Sequence, residues 1–119
     1  MKTLAGVVLL GLAVAAPVQA AVKDAQPNGF TLENSEWVPV APQVAYAALV
    51  NDVGRWWPAD HTWWGDASKL SISQKVGGCF CEMHGTRQAW HMTVAFVDPG
   101  KTMRMTGALG PLQGMGLGG

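Results

Sequence analysis

Apolar and polar positions change period several times along this chain, and each change marks a boundary. Leu4 to Ala16 is an uninterrupted run of apolar residues and glycine. Phe30 to Val38 alternates loosely and predicts a strand, which Pro39 and Pro42 end. Gln43 to Val50 carries Val44, Ala45, Ala48 and Leu49 on one face at helical spacing, and Pro42 suits the first turn of that helix. Asn51-Asp52 can cap a second short helix running through Trp57, which Pro58 stops. Residues 59–66 read as a loop. Leu70–Ser73, Cys79–Met83, Gln88–Val97 and Thr102–Ala108 then alternate as strands, punctuated by Gly77-Gly78, by His84-Gly85-Thr86-Arg87 and by the strong turn Asp98-Pro99-Gly100-Lys101. The predicted class is α+β: a strand, two short helices, then an antiparallel meander. Five of the last ten residues are glycine, so no regular element is expected there.

The amino-terminal run has the features of an export signal. Met1-Lys2 provides a positive start, and Val18-Gln19-Ala20 places compact residues where a signal peptidase needs them, with cleavage between Ala20 and Ala21. Thirteen apolar residues fall short of the ~20 that a membrane span needs. The expectation is therefore a signal peptide over 1–20, a flexible lead-in over 21–28 containing Pro27, one domain over 29–119, no integral membrane span after cleavage, and a periplasmic or secreted location.

Composition narrows the partners. Of 119 residues only 13% are charged, and Lys plus Arg equals Asp plus Glu at eight each, so the chain has no basic footprint for nucleic acid. Six Trp against one Tyr is unusual and gives aromatic surface to bury or to offer a ligand.

Alternation puts Cys79, Cys81 and Met83 on one face of their strand, with Phe80 and Glu82 on the other. Trp90, Met92, Val94 and Phe96 form the apolar face of the next strand, and Met103 and Met105 that of the last. Side by side these faces make a concave surface lined by Met and aromatic rings, which fits either an ordinary core or a pocket for a flexible apolar ligand. Residues two apart on an extended strand lie about 6.6 Å apart, close to the ~6.8 Å limit for a disulfide. One intervening residue is also short for zinc. Cys79 and Cys81 therefore read as free thiols facing the cavity, and no metal or other cofactor is expected. Asp60-His61, flanked by Trp56-Trp57 and Trp63-Trp64, offers an acid–base pair as well as a loop anchor. His91 reads as an ordinary sheet residue on the face opposite Trp90 and Met92, and Arg104 as the partner of Glu82 or another acid on the outer face.

Three segments together resemble one superfamily. They are Val53-Gly54-Arg55-Trp56-Trp57-Pro58 running into Asp60-His61-Thr62-Trp63, then Gly77-Gly78-Cys79-Phe80-Cys81-Glu82, then Val97-Asp98-Pro99-Gly100-Lys101 with Thr106-Gly107-Ala108-Leu109-Gly110-Pro111-Leu112. In this order the chain resembles the START-like group, also called SRPBCC, of polyketide cyclase/dehydrase and lipid-transport domains, in its exported bacterial branch. The resemblance covers residue 29 to about 116, roughly two-thirds of such a domain. It implies a helix-grip fold, a curved antiparallel sheet around a long carboxy-terminal helix, with an apolar cavity between them. That helix is missing from this chain, so a carboxy-terminally truncated fragment is expected.

The resemblance also selects the pocket over the plain core. The residues expected to bind a hydrophobic small molecule or lipid are Trp56, Trp57, Trp64, Cys79 and Cys81 together with Met83, Trp90, Met92, Met103 and Met105. The alternative it implies is a cyclase/dehydrase-like enzyme using His61 and Asp60 as acid and base.

Overall fold

The structure is a computed structural model that describes residues 19–107 and 110–116. Most of the expected export signal, residues 1–18, lies outside the described residues, as do Ala108, Leu109 and the last three glycine-rich positions. The chain divides into two compact units, with the boundary between Val38 and Pro39.

The first unit contains an antiparallel hairpin of β1 (Gln19–Gln26) and β2 (Gly29–Ser35). The segment expected to be a flexible lead-in is thus a strand, and Ala20 and Ala21 stand within it. Pro27-Asn28 supplies the reason. Proline presets the backbone for the first turn position and asparagine is favoured at the next, so the alternating residues on either side fold back on each other. Val22 pairs with Leu32 and Ala25 with Phe30, while Lys23 Nζ reaches Glu33 Oε2 at 3.3 Å.

The second unit carries two short helices and a four-stranded antiparallel sheet. Helix α1 (Pro42–Asn51) opens on Pro42 in its first turn, as the pattern required, and α2 (Val53–Trp56) ends before Pro58. The sheet is a meander ordered β3 (Leu70–Ile72), β4 (Cys79–His84), β5 (Arg87–Asp98), β6 (Thr102–Gly107). Gly100, buried at φ 78° against Gln43, turns β5 into β6, and Lys101 N donates to Asp98 O at 3.0 Å. Three-residue 3-10 turns cover Ala59–His61 and Ala67–Lys69, and a longer one covers Gly110–Met115, where no regular element was expected. Among the described residues, no helix is long and apolar enough to cross a membrane.

One face of the sheet carries the core. Val53, Ala67, Leu70 and Phe80 are buried together, with Trp57, Ile72, Met92 and Met105 packed against them. Directly paired residues on neighbouring strands share a face, so the pairs Ile72–Phe80, Phe80–Met92 and Val94–Met105 trace this face across all four strands.

Two β-bulges in β5 decide what else reaches it. The pairing steps from Phe80–Met92 to Cys81–Trp90, leaving His91 as an extra residue, and from Val94–Met105 to Phe96–Arg104, leaving Ala95 as another. Each extra residue shifts the two-residue alternation by one. Met92 and Val94 therefore face the core, whereas Trp90 and Phe96 stand on the opposite face, 43% and 42% exposed. The single apolar stripe expected from Trp90 to Phe96 is broken at both ends.

Candidate functional site

Pro58 ends α2 and directs the chain into the turn Ala59–His61, which stands over the edge of the core face. Trp57 Nε1 donates to the carbonyl of His61 at 3.1 Å, and Thr62 Oγ1 donates to that of Ala59 at 2.7 Å, so the turn is tied at both ends. The next two residues are anchored to the sheet. The backbone N–H groups of Trp63 and Trp64 donate to Oε2 and Oε1 of Glu82 at 3.0 and 3.3 Å.

Between this loop and the sheet lies a cleft of about 530 Å³ lined by Trp57, Asp60, His61, Thr62, Trp63, His91 and Gly110. Behind its lining the aromatic packing is continuous. Trp57 meets Phe80 edge-on with ring centroids 5.4 Å apart, and Phe80 lies 5.1 Å from the His91 ring. Such a surface supplies apolar contact, and the few polar groups at its margin can orient a ligand.

Glu82 is the most unusual residue of the site. It is fully buried, although a carboxylate is almost never so without partners. Its two oxygens take the two loop amides, and Oε2 also lies 3.5 Å from His91 Nε2, whose side chain is 14% exposed. Nε2 is buried and makes no hydrogen bond of good geometry, so the two groups face each other at ion-pair range without a fully formed bond.

Several sequence expectations are corrected here. Phe80 and Glu82 do share a face, but that face is the core; Cys79, Cys81 and Met83 stand on the other side. The larger ring of Phe80 gains most from burial, and the loop amides make burial of Glu82 tolerable. Cys79 and Cys81 are not free thiols. They form a disulfide, with Cα atoms 5.4 Å apart, because β4 is less extended there than the ideal spacing assumes. Arg104 does not pair with Glu82 across the sheet; its guanidinium lies 5.2 Å from the centroid of Phe96 on the opposite face.

Of the ten expected binding residues, Trp57 lines the cleft, and Met92 and Met105 pack against the core instead. Met103 is half-buried beside Val97. Trp56 donates to the Leu49 carbonyl and remains 46% exposed. Trp64 packs away from the cleft, with His84 6.1 Å and Arg87 5.0 Å from its ring. Trp90 donates to Thr93 Oγ1 on the far face, and Met83 is exposed. The structure brings Asp60 and His61 to the cleft, but among the described residues no hydrogen bond or ion pair joins their side chains.

Glu82, His91, Thr62, Trp63 and Gly110 were missed as site residues. For Glu82 a signal existed, an acid placed between apolar neighbours in Cys79-Phe80-Cys81-Glu82-Met83. For His91 none did, because strict alternation cannot register a bulge. Comparison of the chain with family models, curated proteins and solved structures finds no match.

Proposed function

We propose that this chain is an exported START-like domain that binds a hydrophobic small molecule or lipid in the cleft between the Ala59–Trp64 loop and the sheet. The observation that carries this reading is the aromatic lining by Trp57 and Trp63, with Phe80 packed behind Trp57, around a volume of about 530 Å³, a size within the usual range of small-molecule sites. The meander behind two short helices supports the helix-grip reading. The Cys79–Cys81 disulfide supports export, since disulfides persist in oxidising compartments.

Titration with anilinonaphthalene sulfonate and with oleate tests the reading. Saturable binding is expected, weakened severalfold in Trp63→Ala and unaltered in Trp90→Ala, whose ring stands on the other face. Equal behaviour of the two variants, or no saturable binding, overturns it.

A second reading is acid–base catalysis on a cyclase/dehydrase-like substrate, favoured by the presence of both Asp60 and His61 in the cleft lining. Loss of turnover with retained binding in His61→Ala supports it, and unchanged turnover removes it.

A further inference from the structure

Resting on the reading of the cleft as an apolar binding site, we infer that its ligand carries a hydroxyl group, alcohol or phenol, and that His91 Nδ1 accepts the proton of that hydroxyl. The carboxylate of Glu82 acts here as a hydrogen-bond acceptor. Its Oε1 and Oε2 already take the amides of Trp64 and Trp63, and the next group facing Oε2 is His91 Nε2 at 3.5 Å. A neutral imidazole carries one proton, and the partner of one nitrogen decides which of the two holds it. Facing that acceptor at 3.5 Å, without a formed hydrogen bond, Nε2 is the nitrogen on which the imidazole proton is favoured.

The consequence falls on the other nitrogen. With Nε2 protonated, Nδ1 presents a lone pair, and among the described residues it makes no hydrogen bond. His91 lines the cleft, and its Nε2 is already buried against Glu82, so Nδ1 is the nitrogen left to meet a ligand. Of the polar groups in the lining, His91 is the one with a buried partner to orient it, so an apolar molecule with a donor placed at Nδ1 is selected. Asp60 at the margin disfavours an anionic ligand end, which makes a neutral hydroxyl a better fit than a carboxylate. The His91 bulge makes the arrangement possible: without the extra residue in β5, the imidazole would stand on the face opposite Met92 and could not reach Glu82.

In this scheme Glu82 is a positioning residue, acting through His91. The test compares 2-naphthol with 2-methoxynaphthalene, two probes of similar shape of which only the first can donate. The wild-type chain should bind 2-naphthol about tenfold more tightly, the worth of one well-placed hydrogen bond. In His91→Phe the ratio should fall toward one. It should also fall in Glu82→Gln, whose amide no longer dictates the tautomer. Because the readout is a ratio of two affinities, a general weakening of the fold does not mimic it. Binding of both probes with a ratio near one in the wild type overturns this inference and leaves the apolar-site reading standing. Binding of neither probe overturns both. A ratio that persists in His91→Phe overturns the assignment to His91, and one that persists in Glu82→Gln overturns the role of Glu82.

Discussion

Glu82 Oε2 accepts the backbone N–H of Trp63 at 3.0 Å, joining residues nineteen positions apart and holding the wall of the cleft to the floor of the sheet. With the amide of Trp64 on Oε1, the carboxylate fastens to the sheet the loop that carries Asp60, His61 and Trp63. Replacing it by leucine keeps the volume and removes the acceptor. Glu82→Leu is expected to lose roughly 2–4 kcal/mol, since two charge-assisted bonds go and their donors are left behind. A urea titration reads the loss. Amide hydrogen exchange at Trp63 and Trp64 should accelerate well beyond that of α1; exchange that rises uniformly would show that Glu82 has no special hold on the loop.

Gly54 is a second fixed point. A Cβ there would lie 2.7 Å from the carbonyl oxygen of Ala67 and 3.0 Å from Ser68 Cα, both of them backbone, so neither can swing aside. This close approach seats α2 on the 67–69 turn. Gly54→Ala is expected to destabilise by about 1–3 kcal/mol despite the better helix propensity of alanine. Thermal unfolding decides it, and an unchanged or higher Tm would mean that the turn yields without cost.

Reduction of Cys79–Cys81 should weaken the domain without unfolding it. The bridge joins residues two apart, and closing so small a loop removes only roughly 1.5 kcal/mol of unfolded-chain entropy in the loop-closure estimate. The Tm with and without a dithiol reductant should therefore differ by roughly 6–12 °C for a domain of this size. Mass spectrometry after alkylation confirms that the bond was opened. Unfolding on reduction would instead make the bridge a main support of β4.

Asp66 gives the molecule a local pH dependence. The hydroxyl and backbone N–H of Ser68 both donate to its carboxylate, capping the 67–69 turn, and the side-chain bond from Ser68 is the largest influence holding its pKa below the usual aspartate range. A lowered folded-state pKa means that the contribution is complete above the unfolded-state pKa and disappears as pH falls through the folded one. Asp66→Ala should thus lower Tm at neutral pH, and the gap to wild type should narrow on acidification. A gap independent of pH would show that the carboxylate charge plays no part.

How much of this was legible beforehand can be followed residue by residue. Pro42, Pro58 and Gly100 announce their boundaries because proline and glycine restrict or free the backbone whatever surrounds them, and the order of two short helices followed by a meander came from periodicity alone. The strand Gln19–Gln26 was overlooked because its partner lies across Pro27-Asn28, and pairing is a property of two segments. The same local reading placed Asp60 and His61 near an aromatic loop, where the cleft now includes them.

The chain by itself determined the class of the fold, α+β, the position of most elements, and which residues alternate along each strand. Tertiary structure alone decided that Phe80 and Glu82, rather than the cysteines, face the core, and, through the bulges at His91 and Ala95, which residues of β5 join them. A bulge is set by the match between two strands, each with its own twist and packing, and no single strand records it. Moving one residue out of register turned Trp90 and Phe96 outward and brought His91 to Glu82. The buried carboxylate could settle there because the amides of Trp63 and Trp64, distant in sequence, arrive to satisfy it.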